Sequence, residues 1–407
     1  MNDQKARLNE APGLRVAIVH YWLLAYAGGE RVISALLDLF PQADLFTLVA
    51  DEKVAARFAP HRVTTSFLQR VPGSHRYHRH MLPLCPYALE QFDLTGYDLV
   101  ISSESGPAKG VITPTDTLHV CYCHSPMRYI WDMYHDYTKG KDMNGLTRSV
   151  FKAVAHYVRL WDLASAARVD YFAASSKNGA ARIRKHYRRE AFVIHPPVDV
   201  RAGYVADNTE DYYLVVSRLV DYKRTDLAVE ACARLGRPLR VVGVGPQYRG
   251  LKELAGPTVK FLGEVAEAEK NEQYAHCRAL LFPGEEDIGM VPVEAQAFGR
   301  PVIAFGQGGA RETVVGACQD EGVPPERATG ILFDEQTVDS LVEAIRAFEA
   351  FEPQFSPRFI RAHAEQFDKQ HFLEKMNRFV GERLEEHRAL NGVRVRSSSL
   401  VTGQAGV

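Results

Sequence analysis

Twice along this chain a short, unbroken apolar run gives way to a loop and then to apolar residues at helical spacing, and this repeated pattern constrains the fold more than any other feature. The first instance is the run 14–19. It is followed by Gly28-Gly29 and then by Val32, Ile33, Leu36, Leu37 and Phe40, spaced as one face of a helix that stops at Pro41. A run without polar alternation is the pattern of a strand covered on both faces, which implies a parallel sheet flanked by helices. Further strands are predicted at 97–102, 118–122, 171–175 and 192–194. His195-Pro196-Pro197 then breaks the pattern. Beyond a polar stretch, 206–211, the grammar restarts with a strand at 213–216, a helix at 225–235 and a strand at 239–242. Later strands are predicted at 259–261, 279–282, 301–305 and 331–333, with a helix at 291–298.

These patterns predict an α/β protein of two Rossmann-like domains, with a boundary near Pro197. The length agrees, because 407 residues with 46% apolar side chains exceed what one hydrophobic core usually organises. The domains are expected at 1–197 and 198–390, the last helix packing back on the first domain, with a disordered Ser- and Gly-rich tail at 391–407 and a frayed polar start over the first 13 residues.

The apolar stretch 14–27 contains His20 and is too short and polar to span a membrane. No small-residue cleavage site follows it, so it does not read as a secretion signal. Cys85, Cys121, Cys123, Cys232, Cys277 and Cys318 share no repeated spacing, and reduced thiols in a cytoplasm are expected. The net charge of −1 conceals an asymmetry. Residues 1–198 carry 24 basic and 18 acidic side chains, whereas 199–407 carry 25 and 32. Different partners for the two halves are expected, with the basic one suited to anionic lipid or a diphosphate-linked acceptor. Residues 148–163 predict a basic amphipathic helix with Phe151, Val154, Val158 and Trp161 interleaved with Lys152 and Arg159. A membrane surface and the domain interior both remain open as the cover for its apolar residues.

The most informative motif is Glu285-Glu286-Asp287-Ile288-Gly289-Met290-Val291-Pro292-Val293-Glu294. It sets Glu286 in the loop after a strand, where open α/β sheets bind ligands, and Glu294 on the first turns of the next helix. The helix start offers N–H groups to an anion and the glutamates offer acceptors to sugar hydroxyls. A solvated loop residue and a first-turn acid favoured by the helix dipole are the plainer alternatives. Ser217-Arg218-Leu219-Val220-Asp221-Tyr222-Lys223-Arg224 follows the first strand of the second domain. Its cations oppose the dipole of the helix they precede, so Arg218 and Lys223 call for an anion such as a diphosphate.

Gly28-Gly29-Glu30-Arg31 is read as a glycine turn that lets backbone approach a phosphate ahead of a helix, and Gly308-Gly309-Ala310-Arg311-Glu312 as a similar turn. Neither these nor Gly243-Val244-Gly245-Pro246 is the G-x-G-x-x-G of a nicotinamide site. His124, at the end of a strand, is expected to face the cleft and to reach a donor-sugar hydroxyl or phosphate. Cys121-x-Cys123-His124 offers no complete metal-ligand set and reads as core cysteines. No Asp-x-Asp pair occurs, so no carboxylate clamp for a divalent ion on a nucleotide sugar is expected.

In order and spacing, Gly28-Gly29, His124, Arg218, Lys223, Glu286-x7-Glu294 and Gly308-Gly309-x-x-Glu312 resemble the family-4 retaining glycosyltransferases of the two-Rossmann-domain (GT-B) fold, over nearly residues 15–380. Ser66-Phe67-Leu68-Gln69, Cys123-His124-Ser125-Pro126-Met127-Arg128-Tyr129 and Pro292-Val293-Glu294-Ala295-Gln296-Ala297 look like bacterial mannosyltransferases that build O-antigen and exopolysaccharide. The resemblance implies an acceptor-binding first domain, a nucleotide-sugar-binding second domain, GDP-mannose as donor and a lipid-linked saccharide as acceptor. It also implies a cytoplasmic enzyme on the inner face of the cell membrane, with no cofactor and no nucleic acid partner. Arg218 and Lys223 would hold the diphosphate, Glu286 the sugar hydroxyls and Glu294 the ribose, with Asp287, Ile288, Gly289, Met290 and Val291 completing the donor contacts. Gly28 and Gly29 would line the phosphate side facing the acceptor, and His124 would touch the donor sugar.

Transfer would be front-face with retention, the leaving phosphate taking the acceptor's proton. The sequence departs from the common pattern at Ile288, a position often aromatic, and at Asp221-Tyr222, where Pro-Glu is frequent. Alternatives are a UDP-sugar-dependent transferase, a sugar-nucleotide epimerase of the same architecture, a nicotinamide dehydrogenase lacking its fingerprint, and a catalytically silent copy.

Overall fold

The computed structural model of the chain describes residues 13–139, 144–317 and 322–391. The expected frayed start up to residue 12, the tail beyond Asn391 and Cys318 lie outside the described residues. Among the described residues, thirteen strands form two all-parallel sheets. The first contains β1 (Val16–Leu23), β2 (Asp44–Ala50), β3 (Val63–Thr65), β4 (Leu99–Glu104), β5 (Leu118–Cys123), β6 (Tyr171–Ala174) and β7 (Ala191–Val193), in the order β3-β2-β1-β4-β5-β6-β7. The second contains β8 (Tyr213–Val216), β9 (Leu239–Val242), β10 (Val259–Gly263), β11 (Ala279–Phe282), β12 (Val302–Phe305) and β13 (Gly330–Phe333), in the order β10-β9-β8-β11-β12-β13. Each order reverses once, between β1 and β4 and between β8 and β11. In doubly wound sheets ligands bind outside the carboxyl ends of strands at such a reversal.

All six strands of the second sheet fall where the apolar runs predict them, but the first sheet holds two more than expected. In β2 a buried Thr47 interrupts the run, and β3 is a three-residue edge strand with no fully buried side chain. The fourth strand starts at Leu99 rather than 97, because the Tyr97 N–H closes a turn onto Leu94 O at 3.4 Å instead of joining the ladder. Gly28 and Gly29 do not form a turn ahead of the helix. They are the first two residues of the helix Gly28–Leu39, with Ala27 at the cap position and the Glu30 carboxylate accepting from the Ala27 N–H at 3.0 Å.

The lobes join at two adjacent crossings, where the Val198 N–H donates to Phe367 O at 3.1 Å and the Lys369 N–H returns to Val198 O at 3.2 Å. Beyond the second crossing, the helix Lys369–Asn391 buries Phe372, Met376, Phe379, Val380 and Leu384 in the N-terminal core beside Ile18, Leu118 and Tyr122. Each such side chain contributes roughly 1.5–3 kcal/mol.

The predicted amphipathic helix forms as Gly145–Ala166, but its residues Val158, Phe151, Val154 and Trp161 turn inward. Trp161 donates to Glu90 at 3.1 Å, and a Cβ on Gly110 would lie 2.0 Å from its ring. That set of side chains is covered by the domain itself and is not available to a membrane.

Candidate active site

Both loops at the second reversal open toward the N-terminal lobe. After β8 the chain passes Arg218, makes a single turn at Asp221–Lys223 and enters the helix Thr225–Leu235. After β11 it runs through Pro283 to Gly289 into the helix Met290–Ala297. The two loops lean on each other so closely that a Cβ at Gly284 would stand 2.9 Å from Lys223 Cα. This contact brings the Lys223 ammonium onto the Glu286 carboxylate as an ion pair. Arg218 is exposed, its guanidinium 3.3 Å from the Tyr222 hydroxyl. Gly308-Gly309 is not a free phosphate turn. The Gly309 N–H donates to Glu286 O at 2.7 Å, and a Cβ there would lie 2.2 Å from Ile288 Cα. The glycines allow the loop after β12 to brace the loop that carries Glu286.

At the first reversal, His124 follows β5 and sets its Nε2 2.9 Å from the Ser103 hydroxyl of β4. His20 of β1 donates from Nδ1 to Ser103 O at 3.1 Å and turns Nε2 toward Glu30 at 3.6 Å. Tyr21, beside them, is pushed up to about 12 by burial, with Glu30 adding to the rise and Arg218 from the opposite lobe opposing it. Across the cleft, a Cβ on Gly28 would touch Met290 Sδ at 3.4 Å, so the starts of the two switch-point helices face each other.

The structure therefore gathers Gly28, Gly29, His124, Arg218, Lys223, Glu286, Met290 and Glu294 around one interlobe cleft, but it gives two of the predicted donor contacts other partners. Glu294 accepts from Arg31 of the N-terminal lobe at 2.5 Å and from the Tyr274 hydroxyl at 2.8 Å. Asp287 lies against Arg182 (3.3 Å), Arg128 (3.8 Å) and the Asn178 amide (3.2 Å), and burial raises its pKa against the pull of those cations. Ile288 is packed under Gly309, and Val291 lies against the apolar core of its own lobe.

Sequence reasoning missed this interlobe seam. Arg31, Arg128, Arg182 and His195 from the basic lobe meet Glu294, Glu285, Asp287 and Glu312 from the acidic one. Glu312 also caps the N-terminal-lobe helix Lys177–Tyr187, accepting from the Lys177 and Asn178 N–H groups at 2.8 and 3.0 Å. The charge asymmetry was the available signal for these pairs. A second missed feature lies behind His124, where the fully buried Lys109 pairs with Asp162 and, at 3.4 Å, with Glu104. Cys121, Cys123 and Glu104 bring ligand-type atoms within 4.8 Å of one another, but the Lys109 ammonium is already the cation on that carboxylate. Separately, a cavity of about 340 Å³ in the N-terminal lobe is lined by Trp131, Tyr134, Arg159 and His186.

Burial holds His119 and His124 down at about 3 and lifts Glu104 to about 7. Both imidazoles are neutral when folded but protonate in the unfolded chain below 6.5, so their contribution to stability is lost as pH falls from 6.5 toward 3. Glu104 acts oppositely between 4.5 and about 7. Two groups against one leave stability falling on acidification from pH 6.5 to 5 by on the order of 1 kcal/mol per pH unit. Chemical denaturation at pH 7, 6 and 5 checks this, and stability that rises toward pH 5 contradicts the neutral burial of the imidazoles.

Comparison with known proteins identifies the C-terminal lobe. Residues 199–379 match the family described as glycosyl transferases group 1. The C-terminal lobe thus resembles the group 1 glycosyltransferases, over a match that covers less than half of the chain. Similar proteins include a glycogen synthase from Pseudomonas syringae pv. tomato, 29% identical over 47% of this chain and 37% of that protein. A D-inositol 3-phosphate glycosyltransferase from Gordonia bronchialis is 30% identical over 43% and 41%. A GDP-mannose-dependent alpha-(1-6)-phosphatidylinositol monomannoside mannosyltransferase from Mycobacterium tuberculosis is 32% identical over 32% and 36%. The chain thus spans about two-fifths of the length of the curated relatives it matches.

Among solved structures, Anabaena HepE in complex with UDP and glucose superposes with a TM-score of 0.65 at 17% identity, covering 89% of this chain and 98% of that one. Sucrose-phosphate synthase from Thermosynechococcus elongatus gives 0.65 at 18%, covering 91% and 99%. These likenesses place the chain in the GT-B fold of two facing Rossmann-like domains.

Proposed function

We propose that this chain is a retaining glycosyltransferase that moves mannose from GDP-mannose onto a lipid-linked saccharide in bacterial surface polysaccharide synthesis. The observation that carries the reading is the convergence of Arg218, Lys223 and Glu286 at the reversal of the second sheet, opposite the helix start at Gly28 and His124. Lys223 and Glu286 neutralise each other. A nucleoside diphosphate sugar offers each a better partner, its pyrophosphate to the ammonium and its sugar hydroxyls to the carboxylate. As the bond from anomeric carbon to phosphate oxygen breaks, its electron pair moves onto the phosphate. Lys223 and Arg218 stabilise that growing charge. The acceptor oxygen bonds the same face of the sugar and passes its proton to the departing phosphate, so no enzymic nucleophile is needed. Neutral His124, steadied by Ser103, is suited to a hydrogen bond with a donor-sugar hydroxyl. For Glu294 to hold the ribose diol, Arg31 must move away, which couples donor entry to a small opening of the lobes.

No helix among the described residues is long and apolar enough to cross a membrane. The reading places the enzyme on the cytoplasmic face, with a donor site that takes no metal. A thermal-shift screen of GDP-mannose against UDP-glucose tests the donor. GDP-mannose at about 100 times its dissociation constant should add about 2.7 kcal/mol of stability. A larger shift with UDP-glucose replaces the donor, and conversion of donor without acceptor replaces the transferase by an epimerase. Product formation should survive a chelator.

A further inference from the structure

The helix Gly145–Ala166 turns Leu146, Val150, Tyr157, Leu160 and Leu163 outward, Leu146 with 77% of its surface exposed. This stripe lies opposite the inward residues that the sequence pattern had singled out. Large apolar side chains scattered singly over a surface need no explanation, but five along one helix face do. Residues 67–87 extend the patch. They pack against the helix through His78–Leu84, whose Leu82 shares a small core with Ala155 and Val158, and they expose Tyr77, Leu84 and Tyr87.

Charge selects the occupant. No Asp or Glu occurs between Ser66 and Leu89, and the one acid of the helix, Asp162, is buried against Lys109. Arg70, Arg76, Arg79 and Lys152 are exposed and, among the described residues, none is ion-paired. A second copy docked by this same face would set these cations against one another. An apolar surface whose own exposed charges are all cations instead complements an anionic lipid surface, where the apolar side chains enter the headgroup boundary and the cations meet phosphates. We propose that the outward face of helix Gly145–Ala166, together with residues 67–87, docks on an anionic membrane surface. This rests on the surface alone and stands apart from the transfer reading.

The test is co-sedimentation of the full chain with phosphatidylcholine vesicles, with and without phosphatidylglycerol. Binding is expected only with the anionic lipid, falling as salt shortens the screening length from about 10 Å at 0.1 M to about 3 Å at 1 M. Tyr157→Glu with Leu160→Glu should lower the bound fraction about tenfold or more by putting charge into the apolar contact. Leu146→Ser with Val150→Ser, a milder pair, should lower it several-fold. All four positions are exposed, so the melting temperature and the nucleotide-induced shift should hold. Equal binding to neutral vesicles, unchanged binding in both pairs, or a dimer that the same substitutions dissolve would overturn the proposal. A lost nucleotide shift in unaltered protein would count against the transfer reading only.

Discussion

Lys223→Ala is expected to lower turnover by about 10²-fold or more, the usual loss when a preorganised charge at a developing anion is removed. The substitution also leaves Glu286 without its cation, since the two are paired. An unpaired carboxylate there repels the incoming diphosphate, so KM should rise as well. Lys223→Ala with Glu286→Gln separates the effects, because removing the carboxylate's charge should restore much of the donor affinity while the lost turnover stays lost. Steady-state kinetics with varied donor checks both parts. A Lys223→Ala enzyme with unchanged turnover removes this residue from bond breaking.

The second large effect concerns stability. Lys109→Met should destabilise the fold by about 3–5 kcal/mol, the cost of removing one partner from a buried charge pair. Asp162 holds the Lys109 ammonium, the Trp131 indole N–H (2.7 Å) and the Tyr187 hydroxyl (3.0 Å), and Glu104 accepts from the Lys109 N–H at 2.9 Å. Without the ammonium, two carboxylates remain in a core from which water is excluded. Adding Glu104→Gln and Asp162→Asn should recover much of the loss by removing the uncompensated charge. Denaturant midpoints for the single and triple variants measure this. Equal stability of Lys109→Met and the unaltered chain refutes the pairing. The consequences reach the cleft, because Glu104 O accepts the His124 N–H at 2.7 Å.

What was legible in the sequence follows from how local each signal is. β8, β11, β12 and β13 carry short continuous apolar runs because both their faces are covered, and such runs identify themselves, whereas β9 and the edge strand β10 were found in spite of Arg240 and the exposed Lys260. β3 has no covered face to announce it, and the buried Thr47 disguises β2. Glycine as a loop signal misled at Gly28-Gly29, which occupy the first turn of a helix whose cap is Ala27, a poor capping residue. The convergence of Arg218, Lys223, Glu286 and Glu294 on one sheet edge was legible because strand ends bring short motifs there. Asp287 was assigned with its loop neighbours by contiguity, but its true surroundings, Arg128 and Arg182, come from distant sequence and no local pattern announces them. The same holds for Lys109 and Asp162, which look like ordinary surface charges until the fold encloses them.

The central claim is that the C-terminal cleft grips a nucleoside diphosphate through Arg218 and Lys223. Calorimetric titration with GDP and with UDP, on the unaltered chain and on Arg218→Ala, Lys223→Met and the exposed control Arg201→Ala, tests it most directly. The account predicts dissociation constants raised about tenfold or more in the first two variants, as expected for lost charge-assisted contacts of about 1.5–3 kcal/mol, and unchanged in the third. Equal affinity in all four proteins would contradict it.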